Sequence, residues 1–336
     1  MDCNFWKRRP VFVTGATGLV GGWLVKDLLA CDADLIILLR DHVPRSLFLS
    51  EGLASRTSCI SGGLDDLRLL ERVLTEYAVK TVFHLGAQTL VGNAKTNPVE
   101  TLEANIRGTW NLLEACRRNH VSEIVVASSD KAYGDTPALP YREDHPLAGR
   151  YPYDCSKSCT DLISRMYATT YSLPVSVTRC ANIFGGGDLN FSRMIPDLIR
   201  ATLQNEQFVI RSDGQFVRDF LYVRDAVAAY LCVAENLAAN PSIAGEAFNF
   251  SLEVRVTVLD LVQKVLALMD RSDLQPLIQN RASSEIREQY MVCGKARSVL
   301  GWSPRFSLEE GLRETIDWYR ARFEATNLKA TAAAAS

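Results

Sequence analysis

Val11-Phe12-Val13-Thr14-Gly15-Ala16-Thr17-Gly18-Leu19-Val20-Gly21-Gly22 joins a short apolar strand, a glycine loop and the start of an amphipathic helix that runs to about Ala30. Each glycine has a separate physical task. Gly15 allows a tight turn, Gly18 lets backbone approach a pyrophosphate, and Gly21 lets the helix pack closely on the strand. The first N–H groups of the helix then face the phosphates. A second strand, Asp34 to Leu39, ends in Arg40-Asp41, where such folds meet the adenosine ribose. A carboxylate there binds the 2′-hydroxyl of NAD, whereas an arginine accommodates the 2′-phosphate of NADP. Counted from Gly15, Asp41 is closer to the acidic position. The expectation is NAD, with NADP left open by Arg40.

Outward from this unit the pattern repeats. Gly62-Gly63-Leu64-Asp65-Asp66 precedes a helix to about Tyr77, and a strand from Thr81 to Leu85 enters the small-residue turn Gly86-Ala87-Gln88, suited to lying against a cofactor. A helix from about Pro98 to Asn119, carrying Asn105 and Gly108, feeds the strand Glu123 to Ala127. Strands alternating with helices predict an α/β fold with a doubly wound parallel sheet. His84 reads as a packed strand histidine, since no second ligand is spaced to join it.

Ser128-Ser129-Asp130-Lys131-Ala132-Tyr133-Gly134 follows that strand, and Tyr153-Asp154-Cys155-Ser156-Lys157 opens the next helix behind Pro152. Tyr153 and Lys157, four residues apart, project from one helical face. A neighbouring ammonium favours phenolate and lowers the tyrosine pKa towards neutrality, which makes a base for an alcohol. Ser129 is placed to hydrogen-bond the same oxygen. The helix is expected to end near Tyr171, with a strand from Pro174 to Arg179. The character then changes: the loop Asn182 to Asp188, a helix within Phe191 to Asn205, Val217-Arg218-Asp219-Phe220-Leu221-Tyr222-Val223, helices at about 224–237, 258–269 and 308–323, and a charged segment around Glu285-Ile286-Arg287.

The 336 residues, 47% hydrophobic, suffice for a sizeable core and one large or two moderate domains. Net charge is −2, and no long basic run suggests nucleic acid or an acidic membrane as partner. The nine cysteines are scattered without metal spacing, so reduced cytosolic thiols are expected, not a metal site or disulfides. No apolar run approaches membrane-spanning length.

Thr14–Gly21, His84–Gln88, Ser128–Gly134 with Tyr153 and Lys157, and Val217–Asp225, in that order, resemble the extended short-chain dehydrogenase/reductases that act on nucleotide sugars. The resemblance covers about 9–319. It is nearest to CDP-glucose 4,6-dehydratases, on Asp130-Lys131, Ala87 to Val91, Asn182 to Asp188, Ile195 to Arg200 and Leu300 to Arg305. The dTDP-glucose branch typically carries Asp-Glu where this chain has Asp-Lys, and 4-epimerases carry small or uncharged residues. Two departures stand out. Gly63 occupies a position usually held by an aspartate near adenine, and Val292 one that is usually acidic.

The resemblance implies a Rossmann domain (1–180 with about 216–240) and a smaller nucleotide-sugar-binding α/β domain (about 181–215 and 241–325); the Ala-rich end is expected to be a disordered tail (326–336). It implies a cofactor site of Gly15, Thr17, Gly18, Leu19, Val20, Gly21, Arg40, Asp41, Leu64, Leu85, Gly86, Ala87, Asn105, Tyr153 and Lys157. Gln88, Asn182, Arg193, Arg218 and Arg287 would hold the substrate, the arginines meeting its diphosphate in fork geometry. The catalytic set would be Ser129, Asp130, Lys131, Tyr153 and Lys157. Tyr153 takes the 4-hydroxyl proton as hydride leaves carbon 4, Lys131 or a group it positions handles the carbon 5 proton, and Asp130 protonates the departing 6-hydroxyl. Hydride returning to carbon 6 gives a 4-keto-6-deoxy sugar. The rival readings are a UDP-sugar 4-epimerase, which ignores Asp130-Lys131, and a non-catalytic dinucleotide sensor. A cytoplasmic homodimer is expected, paired through the helices at 98–119 and 153–171.

Overall fold

In the computed structural model, which describes residues 1–281 and 286–334 with side chains through 325, six strands follow one another in parallel: β1 (Pro10–Thr14), β2 (Asp34–Leu39), β3 (Ser58–Ser61), β4 (Thr81–His84), β5 (Glu123–Ala127) and β6 (Val175–Cys180). Their order is β6-β5-β4-β1-β2-β3, so the chain reverses direction across the sheet between β1 and β4. Such a reversal opens a crevice at the carboxyl ends of the strands. Ala247–Phe250 adds a seventh parallel strand beside β6. The central sheet thus takes in a segment that the sequence reading assigned to the sugar-binding part.

Runs such as Val11-Phe12-Val13 are buried on both sides because helices cover both faces of the sheet. Val11 and Val13 meet Leu24, Val25 and Leu28 of the Leu19–Ala30 helix and Ala226, Val227 and Tyr230 of the Val223–Ala239 helix. Phe12 points the other way, towards Leu70, Val73, Leu112, Leu113 and Tyr167. A third apolar cluster, built on Phe184, Ile195, Leu198, Leu261, Leu312 and Tyr319, stands apart from these two and carries the far wall of the crevice.

Between Pro98 and Arg118 the helix is continuous but contains a π turn at Glu103–Arg107. Such a turn inserts a residue and redirects its groups. The Asn105 carbonyl here accepts from both Thr109 Oγ1 (2.6 Å) and Thr160 Oγ1 (2.8 Å). The Pro152–Tyr171 helix starts on Pro152 and ends on Ser172 at φ 54°. The last helix, Leu308–Ala334, continues past its expected end near Phe323 and includes residues expected to be disordered. From Arg322 to Ala334 there is no glycine or proline to stop it, and alanine is the strongest helix former. Glu285 lies outside the described residues.

A disulfide links Cys3 to Cys31, contrary to the expectation of free thiols throughout. The reason is tertiary. The short Cys3–Trp6 helix folds back, with Trp6 fully buried and its Nε1 donating to Glu235 Oε1 (2.7 Å), and this brings Cys3 to the end of the Leu19–Ala30 helix. No described helix is long and apolar enough to cross a membrane.

Candidate active site

A cleft of about 860 Å³ lies over the carboxyl ends of β1, β4, β5 and β6. That size suits an organic cofactor or ligand. Its floor at one end is the glycine loop. Gly15 sits at φ 80°, and a Cβ there would stand 2.7 Å from Gly86 N; a Cβ on Gly21 would stand 2.2 Å from Gly15 O. Only hydrogen fits at either place, so the loop stays pressed into the sheet with the Leu19–Ala30 N-terminus facing the cleft. Gly15, Thr17, Gly18, Leu19, Val20, Gly21, Leu85 and Ala87 all line it.

His84 explains how the neighbouring turn is held. Thr109 commits its hydroxyl proton to Asn105 O, so His84 Nε2–H donates to Thr109 Oγ1 (3.0 Å). Nδ1 then accepts from Thr14 Oγ1 (2.9 Å), which itself accepts from Gly86 N (3.0 Å). Burial, with Lys157 nearby, pushes the imidazole down to about 3. Asn105, another expected cofactor contact, does not line the cleft. Its side chain accepts from Gln88 N (2.7 Å) and donates to Gln88 O and Ser156 Oγ, clamping the Gly86-Ala87-Gln88 turn. The Gln88 side chain accepts from Leu90 N (2.7 Å) and is likewise absent from the cleft wall. Leu64 packs against Gly108, and Gly86 is spent on Thr14. Arg40 and Asp41 form an exposed pair (2.6 Å) past the end of β2, outside the lining residues.

In the middle of the cleft, Ser129, Asp130, Lys131, Tyr153 and Lys157 converge from the end of β5 and the start of the Pro152–Tyr171 helix. Ser129 Oγ donates to Asp130 Oδ1 (2.9 Å) and accepts from Lys131 N (3.2 Å). Asp130 is 3% exposed, its Oδ2 has no partner among the described residues, and burial raises its carboxyl pKa. Burial thereby favours the protonated acid. Lys131 Nζ donates to Gln289 Oε1 (2.9 Å), so it is not a solvated loop lysine.

Tyr153 and Lys157 correct the sequence reading. Lys157 Nζ donates to Ala127 O (2.7 Å), and burial pushes it down to about 8. Tyr153 is pushed up to about 12, because desolvation outweighs the lowering by Arg193 and by Ser129. The chain alone thus leaves the phenol protonated, and its principal cation is Arg193. Asp154, raised to about 6 by burial, also lines the cleft and was not singled out from the sequence. Its position directly after Tyr153 was the available signal.

The far wall brings in Asn182, Arg193, Phe216, Arg218 and Ile286. Arg193 pairs with Asp188 (3.0 Å) and Arg218 Nη1 donates to Val217 O (2.9 Å). Arg287 is not in the wall; it stands against the Phe216 ring at 5.9 Å and pairs with Asp213 (3.4 Å). Sequence reasoning also missed Arg179. It is completely buried, bonds Asp161 twice (2.7 and 2.9 Å), and donates to Tyr133 Oη (2.8 Å), joining β6, the Tyr153 helix and the turn that carries Asp130.

Comparison with known proteins agrees with this geometry. The chain is 31% identical to the CDP-glucose 4,6-dehydratase of Salmonella typhimurium, over 96% of this chain and 93% of the relative. Among solved structures it is similar to a dTDP-glucose 4,6-dehydratase of Streptomyces venezuelae with NAD and TYD bound (27% identity, TM-score 0.83, 93% and 97% of the two chains). It is equally similar to a UDP-glucose 4-epimerase of Thermotoga maritima with UDP-glucose (27% identity, TM-score 0.85, 94% and 99%). The family model described as NAD dependent epimerase/dehydratase matches residues 11–250. Glycine cradle, reversed sheet and converging Ser-Tyr-Lys group thus have one common source: the chain belongs to the NAD-dependent epimerase/dehydratase family.

Proposed function

We propose that the chain is a nucleotide-sugar 4,6-dehydratase that turns a nucleoside-diphosphate hexose into its 4-keto-6-deoxy derivative. One observation carries this reading: a buried carboxyl biased towards its acid form, Asp130, adjoins a lysine held in place, Lys131, in the same cleft as Ser129, Tyr153 and Lys157. An enzyme that only inverts carbon 4 has no use for the first two.

The glycine cradle fits a dinucleotide pyrophosphate, and NAD, when bound, supplies reversible two-electron oxidation of the sugar. Gly15 to Gly21, Leu85 and Ala87 would hold it. Asp41, tied to Arg40, favours NAD over NADP. Tyr153 takes the 4-hydroxyl proton, assisted by Ser129; Arg193, and Lys157 one turn along the same helix, are the cations that favour its phenolate. A carbon 4 ketone acidifies the carbon 5 hydrogen. Lys131 removes that proton, and Asp130 gives its own to the 6-hydroxyl, which leaves as water. Arg218 and Arg193, with Asn182, receive the diphosphate.

The CDP-glucose preference rests on Asp-Lys and on the 31% identity to a CDP-glucose enzyme. The likeness to a UDP-glucose 4-epimerase supports a second reading, carbon 4 inversion alone. Incubating purified protein with CDP-, dTDP-, UDP- and GDP-hexoses, with and without NAD, and weighing the products separates them. Loss of one water supports dehydration; an isomer of unchanged mass supports inversion.

A homodimer is part of this proposal. Trp110 on one helix and Leu162, Met166 and Tyr171 on the next are all more than 40% exposed, an apolar area suited to a second copy. A cytoplasmic place of action accords with the seven free thiols among the described residues. The Cys3–Cys31 disulfide weighs against it.

A further inference from the structure

We propose that Gln289 is a positioning residue for Lys131, and that its being an amide and not a carboxylate sets how Lys131 works; this rests on the dehydratase reading above. Gln289 is fully buried. Lys131 Nζ donates to the Gln289 carbonyl at 2.9 Å, a bond that the ammonium and the neutral amine both make, and in the amine it leaves the lone pair for the carbon 5 proton. That carbonyl takes one ammonium hydrogen and fixes the direction of the side chain's end, while Lys131 itself lines the cleft.

Gln289 is held firmly enough for this task. Glu288–Gln289 pairs in parallel with Val217–Arg218, Gln289 lying opposite Arg218. On the following turn of backbone, Tyr290 O accepts from Tyr141 N (2.9 Å) and Met291 N donates to Asp219 Oδ2 (3.2 Å). The Gln289 Nε2 has no partner among the described residues. Leaving a buried amide donor unpaired is costly, so stability alone would not select glutamine here. Asp130 and Asp154 already face Lys131, both biased by burial towards their neutral acids; a glutamate at 289 would add an ion pair that favours the ammonium and leaves less of the amine to take a proton. The neutral carbonyl orients Lys131 without that penalty.

Wild-type holoenzyme, Gln289→Met and Gln289→Glu are mixed with CDP-glucose, and two signals are followed: reduced nicotinamide absorbance for oxidation at carbon 4, and mass loss for elimination. Gln289→Met is expected to keep the first step within about twofold and slow the second by up to about 10²-fold, the scale of a misplaced catalytic group, so that reduced cofactor accumulates. Gln289→Glu is expected to move the acid limb of the elimination rate to higher pH. Equal slowing of both steps, or elimination at the wild-type rate and pH profile in both variants, overturns the proposal. Wild-type protein that binds NAD yet eliminates water from none of the CDP-, dTDP-, UDP- and GDP-hexoses overturns the dehydratase reading, and the role of Gln289 with it. A thermal unfolding midpoint lowered in Gln289→Met with unchanged step ratio assigns Gln289 a structural role only.

Discussion

Arg179 and Asp161 form a two-point ion pair with both side chains wholly buried, Nε to Oδ2 at 2.7 Å and Nη2 to Oδ1 at 2.9 Å. The pair locks the helix carrying Tyr153 to β6, while Arg179 reaches on to Tyr133 behind Asp130. Removing one partner strands a charge without water. Asp161→Ala is expected to cost about 3–5 kcal/mol. Denaturant unfolding measures it, and a loss below 1 kcal/mol would mean that the site is not braced in this way.

Asp130→Asn keeps the size of the side chain and its bond from Ser129 but has no acidic proton to give. Oxidation at carbon 4 is expected to continue while water loss falls by about 10²–10⁴-fold. Rapid mixing with CDP-glucose would show reduced nicotinamide persisting. If both steps survive, another acid serves, and Asp154 is the next to replace.

Acid should unfold the protein partly through His84. Its folded-state pKa, about 3, lies below the ordinary 6.5, so its contribution is present above 6.5 and drains away as pH falls towards 3. Asp219 acts in the opposite sense. Its carboxyl is raised to about 7 from 3.8, so its contribution is complete below 3.8 and fades as pH rises through 7. Because the two oppose each other, the difference between profiles isolates His84: the midpoint of His84→Gln relative to the wild type should climb as pH falls from 6.5 towards 3. An unchanged slope would remove His84 from the account.

Gly21→Ala forces a Cβ to within 2.2 Å of the Gly15 carbonyl, backbone against backbone. Overpacking of this kind costs about 1–3 kcal/mol, and it lifts the loop from the place where a pyrophosphate would rest. Calorimetric titration with NAD should show binding weakened at least tenfold; wild-type affinity would dissociate the loop from the cofactor.

Replacing Leu162 by glutamate puts a charge into the exposed apolar area that the proposed homodimer would cover. Light scattering is expected to report a monomer in place of a dimer. A wild-type monomer would refute the expected pairing outright.

Much of this protein was readable before folding, because local rules govern it. The glycine spacing at 15, 18 and 21, the alternation of apolar strands with helices, and Ser129, Tyr153 and Lys157 at their intervals determined the sheet, the cleft and the residues gathered in it. Backbone conformation and periodicity act over a few residues, so they leave a signature in the sequence itself. Asn105, singled out as a contact, clamps the Gln88 backbone, a pairing the sequence could not announce, since nothing local says which partner an amide will choose.

Tertiary structure alone decided what depends on desolvation and distant neighbours. It brought Cys3 to Cys31 and Gln289 to Lys131, residues 28 and 158 positions apart. It also set protonation: spacing suggested a tyrosine drawn towards neutrality, whereas burial raises Tyr153 to about 12 and lowers Lys157 to about 8. Charge costs more as water is excluded, and how much water is excluded is a property of the packed molecule, not of any stretch of its chain.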